Sequence, residues 1–590
     1  MRIRFFLICL MVLLFCFADM IYSSLDTLPI VLDGKTEYRI LLGSNFTSVD
    51  EFAAQELQGY VMQSSGVFLP LDKGNKPVLK KMILLGKDAA VKMGIKLDEN
   101  ILGADGFIIK SMGERLVLAG TTPRGTLYSV YTFLEILGCR WFAPGIIGEV
   151  IPRHYDILLK PIDYTDSPGI KHRGFVTSLI DISKTIQLVD WMGKNKMNFI
   201  GINSSGYIEN KSSLKGELER RGINIYAIID DITPDTVGDI KVKIKLLIEG
   251  NPEIKYMGIR DNDIKALISE SEYDNEIGDI FIELNNSFPD VNFSLISDNL
   301  NDLAKNRKNT VKGNSLTFEN SSRCYRHSIG DKQCEINSEI LVKLNQQLAS
   351  WKKVYIYEYY MGSYSQNSLP FPILQTIVSD IHYLNGLKAL DVIISNCEPG
   401  NWGTYSLNYY VFSKQIWNPI LDLGSIVDDY CEKYYGSAAE PMKRFFAKLE
   451  DSMFQMEHFG YIDPPEKILK LMNEDIFSEL RLELGNARSM VDDAMSFDRI
   501  RKMEISLDHS WYLWQTISNY FDGINYQKMQ KKEKAVVSFQ KATETGRKLV
   551  KFLFQNAEED VFIIPESYIF NYLEPIIADA QERKQKLKAQ

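Results

Sequence analysis

Six carboxylates in the middle of the chain stand where short apolar runs end. They are Asp261 and Asp263 in "GIRDND", Asp298 in "LISDN", Glu319 in "TFEN", Glu358 in "YIYEYY" and Glu398 in "NCEPGNWG". Tyr357, Tyr359, Tyr360, Trp402 and Tyr405 lie between or beside them, with Tyr409 and Tyr410 following. Carboxyl groups among exposed rings suit hydrolysis of a glycosidic bond. One acid protonates the departing oxygen, a second carboxylate attacks or stabilises the cationic carbon, and aromatic faces stack on the sugar. Neither a Ser, His and Asp set nor a Gly-rich phosphate loop competes with this reading.

Within that set Glu358 and Glu398 are expected to be the catalytic pair. A carboxylate in a tyrosine run costs several kcal/mol to bury without a role, and Pro399 holds Glu398 extended, which aims its side chain. Loss of hydration among tyrosines makes Glu358 the protonated acid and leaves Glu398 the base or nucleophile, with the reverse assignment open. If the substrate is an acetamido sugar that supplies its own nucleophile, Asp261 or Asp263 orients it. Asp263, His327, Tyr357, Tyr359, Tyr360, Trp402, Tyr405 and Arg173 are the expected substrate contacts. For His327 an ordinary loop histidine, and for Arg173 a partner of a carboxylate inside the fold, are the alternatives.

Such residues have to be presented by strands. "KHRGFVT", "MNFIGIN", "INIYAII", "IKYMGIR", "VNFSLIS", "NSLTFEN", "KVYIYEYY" and "LDVIISN" read as eight short strands separated mostly by helical stretches. This predicts a (β/α)8 barrel over 168–420, with a doubly wound sheet as the competing arrangement. Several are apolar almost throughout, as a parallel sheet covered by helices requires. Before it, residues 29–160 alternate strand-like runs with two helical ones, "VDEFAAQELQGYVMQSSG" and "TPRGTLYSVYTFLEILGC", which predicts a small α/β accessory domain. After it, residues 421–590 carry amphipathic helical periodicity without strands and predict a helical domain.

The 590 residues exceed what one core supports, so two to four domains are expected. A net charge of -10 with dispersed Lys and Arg argues against nucleic acid as a partner. The opening "MRIRFFLICLMVLLFCFADMIYSS" has the two arginines, apolar run and small residues of a signal peptide over 1–24, too short for comfortable membrane insertion. Export to the periplasm, cell surface or medium is therefore expected. Five cysteines remain beyond it, Cys139, Cys324, Cys334, Cys397 and Cys431. Cys324 and Cys334 could close a short disulfide loop in an oxidising compartment. No spacing matches a zinc site, and no metal or organic cofactor is expected.

Certain stretches resemble known families. "AGTTPRGTLYSVYTFLEILGCRWFAPG" is similar to the end of the accessory α/β domain that precedes the barrel in family 20 hexosaminidases and family 67 α-glucuronidases. "RCYRHSIGDKQCEIN", "VYIYEYY" and "LNYYVFSKQIWNPILDLGSIVDDYCEKYYGSAAEPM" resemble a domain of polysaccharide-degrading bacteria, part of which forms glycoside hydrolase family 163, the endo-β-N-acetylglucosaminidases of complex N-glycans. The resemblance implies an exported bacterial glycosidase acting on a glycan. A glucuronidase-like enzyme and a carbohydrate-binding relative without the chemistry are the alternatives. The stretch "GIRDNDIKALISESEYDNE" keeps both aspartates but lacks the glycines and cysteines usual there in that family.

Overall fold

A computed structural model describes residues 27–179, 181–230, 240–262, 273–297, 315–361, 369–398, 400, 402–559, 561 and 568–589. The proposed signal peptide, Asp263 and Asp298 lie outside the described residues. The chain forms two compact units. One comprises the chain up to Arg140 with Val150–Pro168 and Glu219–Gly222; the other comprises Trp141–Glu149, Gly169–Leu218 and Ile223 onward.

The first unit is the small α/β domain. Its six-stranded sheet holds β1 (Arg39–Leu42), β2 (Leu71–Lys73), β3 (Met82–Leu85), β4 (Phe107–Met112), β5 (Arg115–Gly120) and β6 (Asp163–Asp166), in the order β6-β4-β5-β3-β1-β2. Helices α1 (Ser48–Ser65) and α2 (Pro123–Ile136) accompany it. Their limits follow from local chemistry. Thr47 and Asp50 form a reciprocal capping box at the start of α1, and Gly66 closes it in the left-handed region at φ 76°. Thr122 caps α2, with Pro123 in the first turn where its missing N–H costs nothing.

The second unit contains a closed parallel barrel of eight strands. They are β7 (His172–Val176), β8 (Phe199–Asn203), β9 (Asn224–Ile228), β10 (Tyr256–Arg260), β11 (Asn292–Ser297), β12 (Ser315–Glu319), β13 (Lys353–Glu358) and β14 (Leu390–Asn396). Every strand read from the sequence is present, and closure excludes the doubly wound sheet. Helices α3 (Ile182–Lys194), α4 (Ser204–Arg221), α5 (Ile240–Gly250), α6 (Tyr273–Ser287), α7 (Glu335–Ser350), α8 (Leu374–Asn385) and α9 (Trp402–Trp417) belong to the crossovers and the exit from β14. The chain then continues as α10 (Leu423–Tyr435), α11 (Ala439–Met453), α12 (Glu474–Met490), α13 (Ala494–Lys528), α14 (Lys532–Gln555) and α15 (Glu574–Ala589). Ala535, Phe539, Ala542, Ala580 and Leu587 form a core among the last helices.

The barrel interior is filled by rings and hydroxyls. Tyr226 lies across it, its hydroxyl 2.6 Å from Ser294 Oγ and 2.8 Å from Thr317 Oγ1, with the Phe199 ring stacked at 5.5 Å. Burial pushes this phenol up to about 12. Gly258 makes the room, since a Cβ there would stand 2.4 Å from the Tyr226 hydroxyl and 2.7 Å from Ile296 Cδ1. Gly258→Ala is therefore expected to destabilise the protein by about 1–3 kcal/mol through overpacking. Denaturant unfolding followed by the intrinsic aromatic signal measures this, and an unchanged midpoint would show that the ring moves aside without cost.

Candidate active site

The register decides which strand-end residues face the barrel mouth, because partners across a parallel ladder share a face and alternate residues change it. From Tyr226 in the interior the pairing runs to Tyr256, and Tyr256 pairs with Asn292. One step up, Gly258 pairs with Ser294 and Ser294 with Ser315; Thr317 then pairs with Tyr355 and Tyr355 with Val392. Ile394 pairs with Gly174, Val176 with Gly201, and Gly201 with Tyr226 again, closing the circuit. The ladder continues past the strand ends through Asn320 N–H on Tyr357 O, Cys397 N–H on Val176 O and Ile229 N–H on Gly258 O, each 2.9 Å. The inward set at the C-terminal mouth thus includes Ser178, Asp230, Arg260, Glu319, Tyr357, Tyr359 and Glu398.

Contacts within this set agree with the parity. Arg260 NH1 is ion-paired with Glu319 Oε2, and the Tyr359 hydroxyl donates to Glu319 Oε1. Tyr357 stacks on Tyr359 at 4.8 Å, and Tyr461 lies against Tyr359 at 4.0 Å. Burial pushes both the Tyr357 and Tyr359 phenols well up, so they stay protonated donors. Glu398 is partly exposed and accepts from the Ser178 hydroxyl. Asp230 accepts from Ser204 Oγ at 2.7 Å and from the Ser205 N–H at 3.1 Å. Burial alone would raise the Asp230 carboxyl, but these donors outweigh it and hold the group below the ordinary range.

Glu358 has the opposite parity. It pairs with Ser395, faces the surrounding helices and is completely enclosed. Asn320 Nδ2 donates to Oε1 at 3.0 Å; Arg323 Nε and the Tyr325 hydroxyl donate to Oε2 at 3.0 and 2.9 Å. Arg323 is also ion-paired with Asp380 of α8, which accepts from the Ile329 N–H at 2.6 Å and the Tyr360 hydroxyl at 3.2 Å. Burial pushes Glu358 and Asp380 up against the pull of Arg323, while the two carboxylates hold the guanidinium well above its usual range. The expected pairing of Glu358 with Glu398 across one cleft is therefore not what the register gives.

The other expected residues divide. Tyr357 and Tyr359 face the mouth, whereas Tyr360 lies in the outer layer on Asp380. Asp261 is buried just past β10, with Ser297 Oγ 3.2 Å from its Oδ2, on the outward parity. Trp402, Tyr405, Tyr409 and Tyr410 are buried on α9. Trp402 packs at a tilt against Trp191 at 4.8 Å and Tyr409 at 4.4 Å, and Tyr405 donates to the Leu369 carbonyl at 2.5 Å. Their spacing is that of a helix face rather than a sugar platform. Arg173 sits near the N-terminal end of β7, bonded to the Ile170 and Lys171 carbonyls at 3.1 and 3.0 Å and stacked on Trp417 at 4.8 Å, at the end of the barrel away from the mouth. His327 lies with Cys324, Cys334 and His458. Among mouth residues the sequence reading passed over Asp230, Arg260 and Ser178. Once one interior residue such as Tyr355 is fixed by its partner, counting parity along the strands finds all three and separates Glu319 and Glu398 from Glu358.

Comparisons with known proteins follow this architecture. Residues 36–133 match the glycosyl hydrolase family 67 N-terminus, and residues 323–447 match a domain of unknown function, DUF4838. No curated protein matches the sequence. A GH115 4-O-methyl-α-glucuronidase with specificity for decorated arabinogalactans is similar in structure with TM-score 0.61 and 12% identity, over 89% of this chain and 77% of that one. A GH138 enzyme targeting pectin rhamnogalacturonan II gives TM-score 0.58 and 11% identity, over 88% and 74%. CpGH84B gives 0.54 and 13%, over 93% and 96%. At these identities the likeness is one of fold. Among the described residues no helix is long and apolar enough to cross a membrane.

Arg323→Met leaves Glu358 and Asp380 enclosed without their cation and is expected to cost about 3–5 kcal/mol in denaturant unfolding. A loss below about 1 kcal/mol would show that protonation and the remaining donors suffice. Separately, burial pushes the Glu450 carboxyl of α11 up to about 7 from an ordinary 4.5, against the Gln375 N–H that donates to it at 2.7 Å. A raised carboxyl favours the folded state in its protonated form. Its contribution is thus complete below pH 4.5 and lost as pH rises through 7. Glu450→Gln is expected to flatten that part of the stability-versus-pH curve; an unchanged curve would contradict the assignment.

Proposed function

We propose that the protein is an exported glycoside hydrolase acting on β-linked N-acetylglucosamine in complex glycans, with Glu319 and Glu398 as its working carboxyl groups. The observation that carries this reading is the inward parity of both at the barrel mouth, where parallel barrels place their chemistry. Glu319, already ion-paired to Arg260, supplies negative charge toward a developing cationic sugar carbon. Glu398, partly exposed and hydrogen-bonded to Ser178, moves the proton to and from the glycosidic oxygen. Tyr357, Tyr359 and Tyr461 offer the aromatic wall. The choice of sugar rests on the resemblance of "RCYRHSIGDKQCEIN" and "VYIYEYY" to family 163. Arg260, about one-third exposed, favours a second reading in which the ring bears a carboxylate, as in a uronic acid.

Glu319→Gln and Glu398→Gln are each expected to lower turnover at least about 100-fold on the cleaved glycan while leaving binding measurable. The substrate is found by mass-spectrometric screening of N-glycans and uronic-acid glycans. Glu358→Gln is expected to act chiefly on stability. Near-normal turnover in both mouth variants, with turnover abolished in a folded Glu358→Gln protein, would return the acid role to Glu358. Binding without turnover of any glycan would make the protein a carbohydrate-binding relative.

A further inference from the structure

Behind the mouth, Cys324, His327, Cys334 and His458 bring one donor atom each to a single point, all within 4.8 Å of one another. Cys324 Sγ lies 3.4 Å from His327 Nδ1, and Cys334 Sγ lies 3.8 Å from His458 Nδ1. Zinc bonded to sulfur at about 2.3 Å and to nitrogen at about 2.0–2.1 Å in a tetrahedron holds such donors about 3.6 Å apart. The cysteines are both buried and the histidines partly so, and neither cysteine is disulfide-bonded.

We propose that these four side chains form a structural zinc site. Two thiolates and two neutral imidazoles match the closed Cys2His2 sites that zinc favours, and the two thiolate charges cancel that of the ion in a buried place. Binding releases the two thiol protons to solvent. Hydrogen bonds that do not involve the metal also hold the loop in shape. Asn337 accepts from the Cys324 N–H at 2.9 Å and donates to the carbonyls of Cys324, His327 and Ser328 at 2.9, 3.0 and 3.0 Å. The fourth donor comes from the loop after α11. It is already tied to the first by the Tyr325 N–H on the Phe459 carbonyl at 2.6 Å and by a bridge between Cys324 and Gly460.

The site has a consequence for the mouth that does not depend on which glycan, if any, is cleaved. Arg323, next to the first ligand, holds Glu358, and Tyr461, three residues past the last, lies on Tyr359. Zinc would fasten both loops, and so fix the backing of β13 and one aromatic wall together. The spacing Cys-x2-His-x6-Cys with a fourth ligand 124 residues beyond the third matches no linear zinc motif, which is why spacing alone excluded one.

The test is elemental analysis of the full-length protein, purified without chelator, reduced, incubated with zinc and desalted. About one zinc per chain is expected. Cobalt in its place should give the thiolate charge-transfer and tetrahedral d–d absorption of a Cys2His2 site. Cys334→Ser and His458→Ala should each lose the metal, and removing it from the natural sequence should lower the unfolding temperature. Zinc retention below about one-tenth equivalent, a Cys324–Cys334 disulfide that persists with no metal bound, one equivalent of a different metal, or full retention in either variant would each overturn the proposal. Should His458→Ala fail to fold, the cobalt spectrum of the natural sequence still decides the ligand set.

Discussion

Closing a parallel sheet into a barrel gives each residue one of two environments according to its parity along the strand, and this constraint organises the second unit. Inward residues meet one another in a packed interior and, at the C-terminal ends, in the mouth; outward residues meet the helices. The circuit from Tyr226 around to Gly201 and back leaves no strand free to slip by one residue without turning its whole set over. Glu319 and Glu398 therefore share an environment that Glu358, one residue along from Tyr357, does not.

The outward place of Glu358 calls for an explanation of its own, because a carboxylate with no solvent contact costs several kcal/mol. Arg323, Asn320 and Tyr325 meet that cost, and Asp380 draws the same guanidinium toward α8. The result joins a barrel strand, a crossover helix and the loop after β12 through one cation. Its ring neighbours contribute as well: the Arg323 guanidinium lies 4.0 Å from the Tyr325 ring centre. The network backs the same strand whose inner face carries Tyr357 and Tyr359, so the shape of the mouth depends on charges that never enter it.

Much of this was legible in the sequence. The eight strands, their burial, the preceding α/β domain and the helical C-terminal part could be read from periodicity because each strand is short, apolar and bounded by polar turns. The carboxylates at strand ends were visible for the same reason. Their facing was harder to read, because "YIYEYY" gives no cue to which parity is inward until a partner such as Tyr355 against Tyr226 is known. The cost of burying Glu358 has two physical solutions, a catalytic role or a buried cation, and the cation, Arg323, lies 35 residues away in the sequence. Trp402, Tyr405 and Tyr409 looked like a sugar platform as a composition, yet their intervals are those of a helix face. His458 could not be joined to Cys324 by any local pattern.

On the proposed reading the inward carboxyls, Glu319 and Glu398, and not Glu358, meet the ligand. A crystal structure of the full chain with a bound cationic iminosugar, the charge mimic of the glycosidase transition state, tests it most directly. The ring nitrogen is expected within hydrogen-bond distance of Glu319 or Glu398, the sugar face against Tyr357, Tyr359 or Tyr461, and the Glu358–Arg323–Asp380 network intact. An iminosugar bonded to Glu358, with Arg323 displaced from it, would contradict the account.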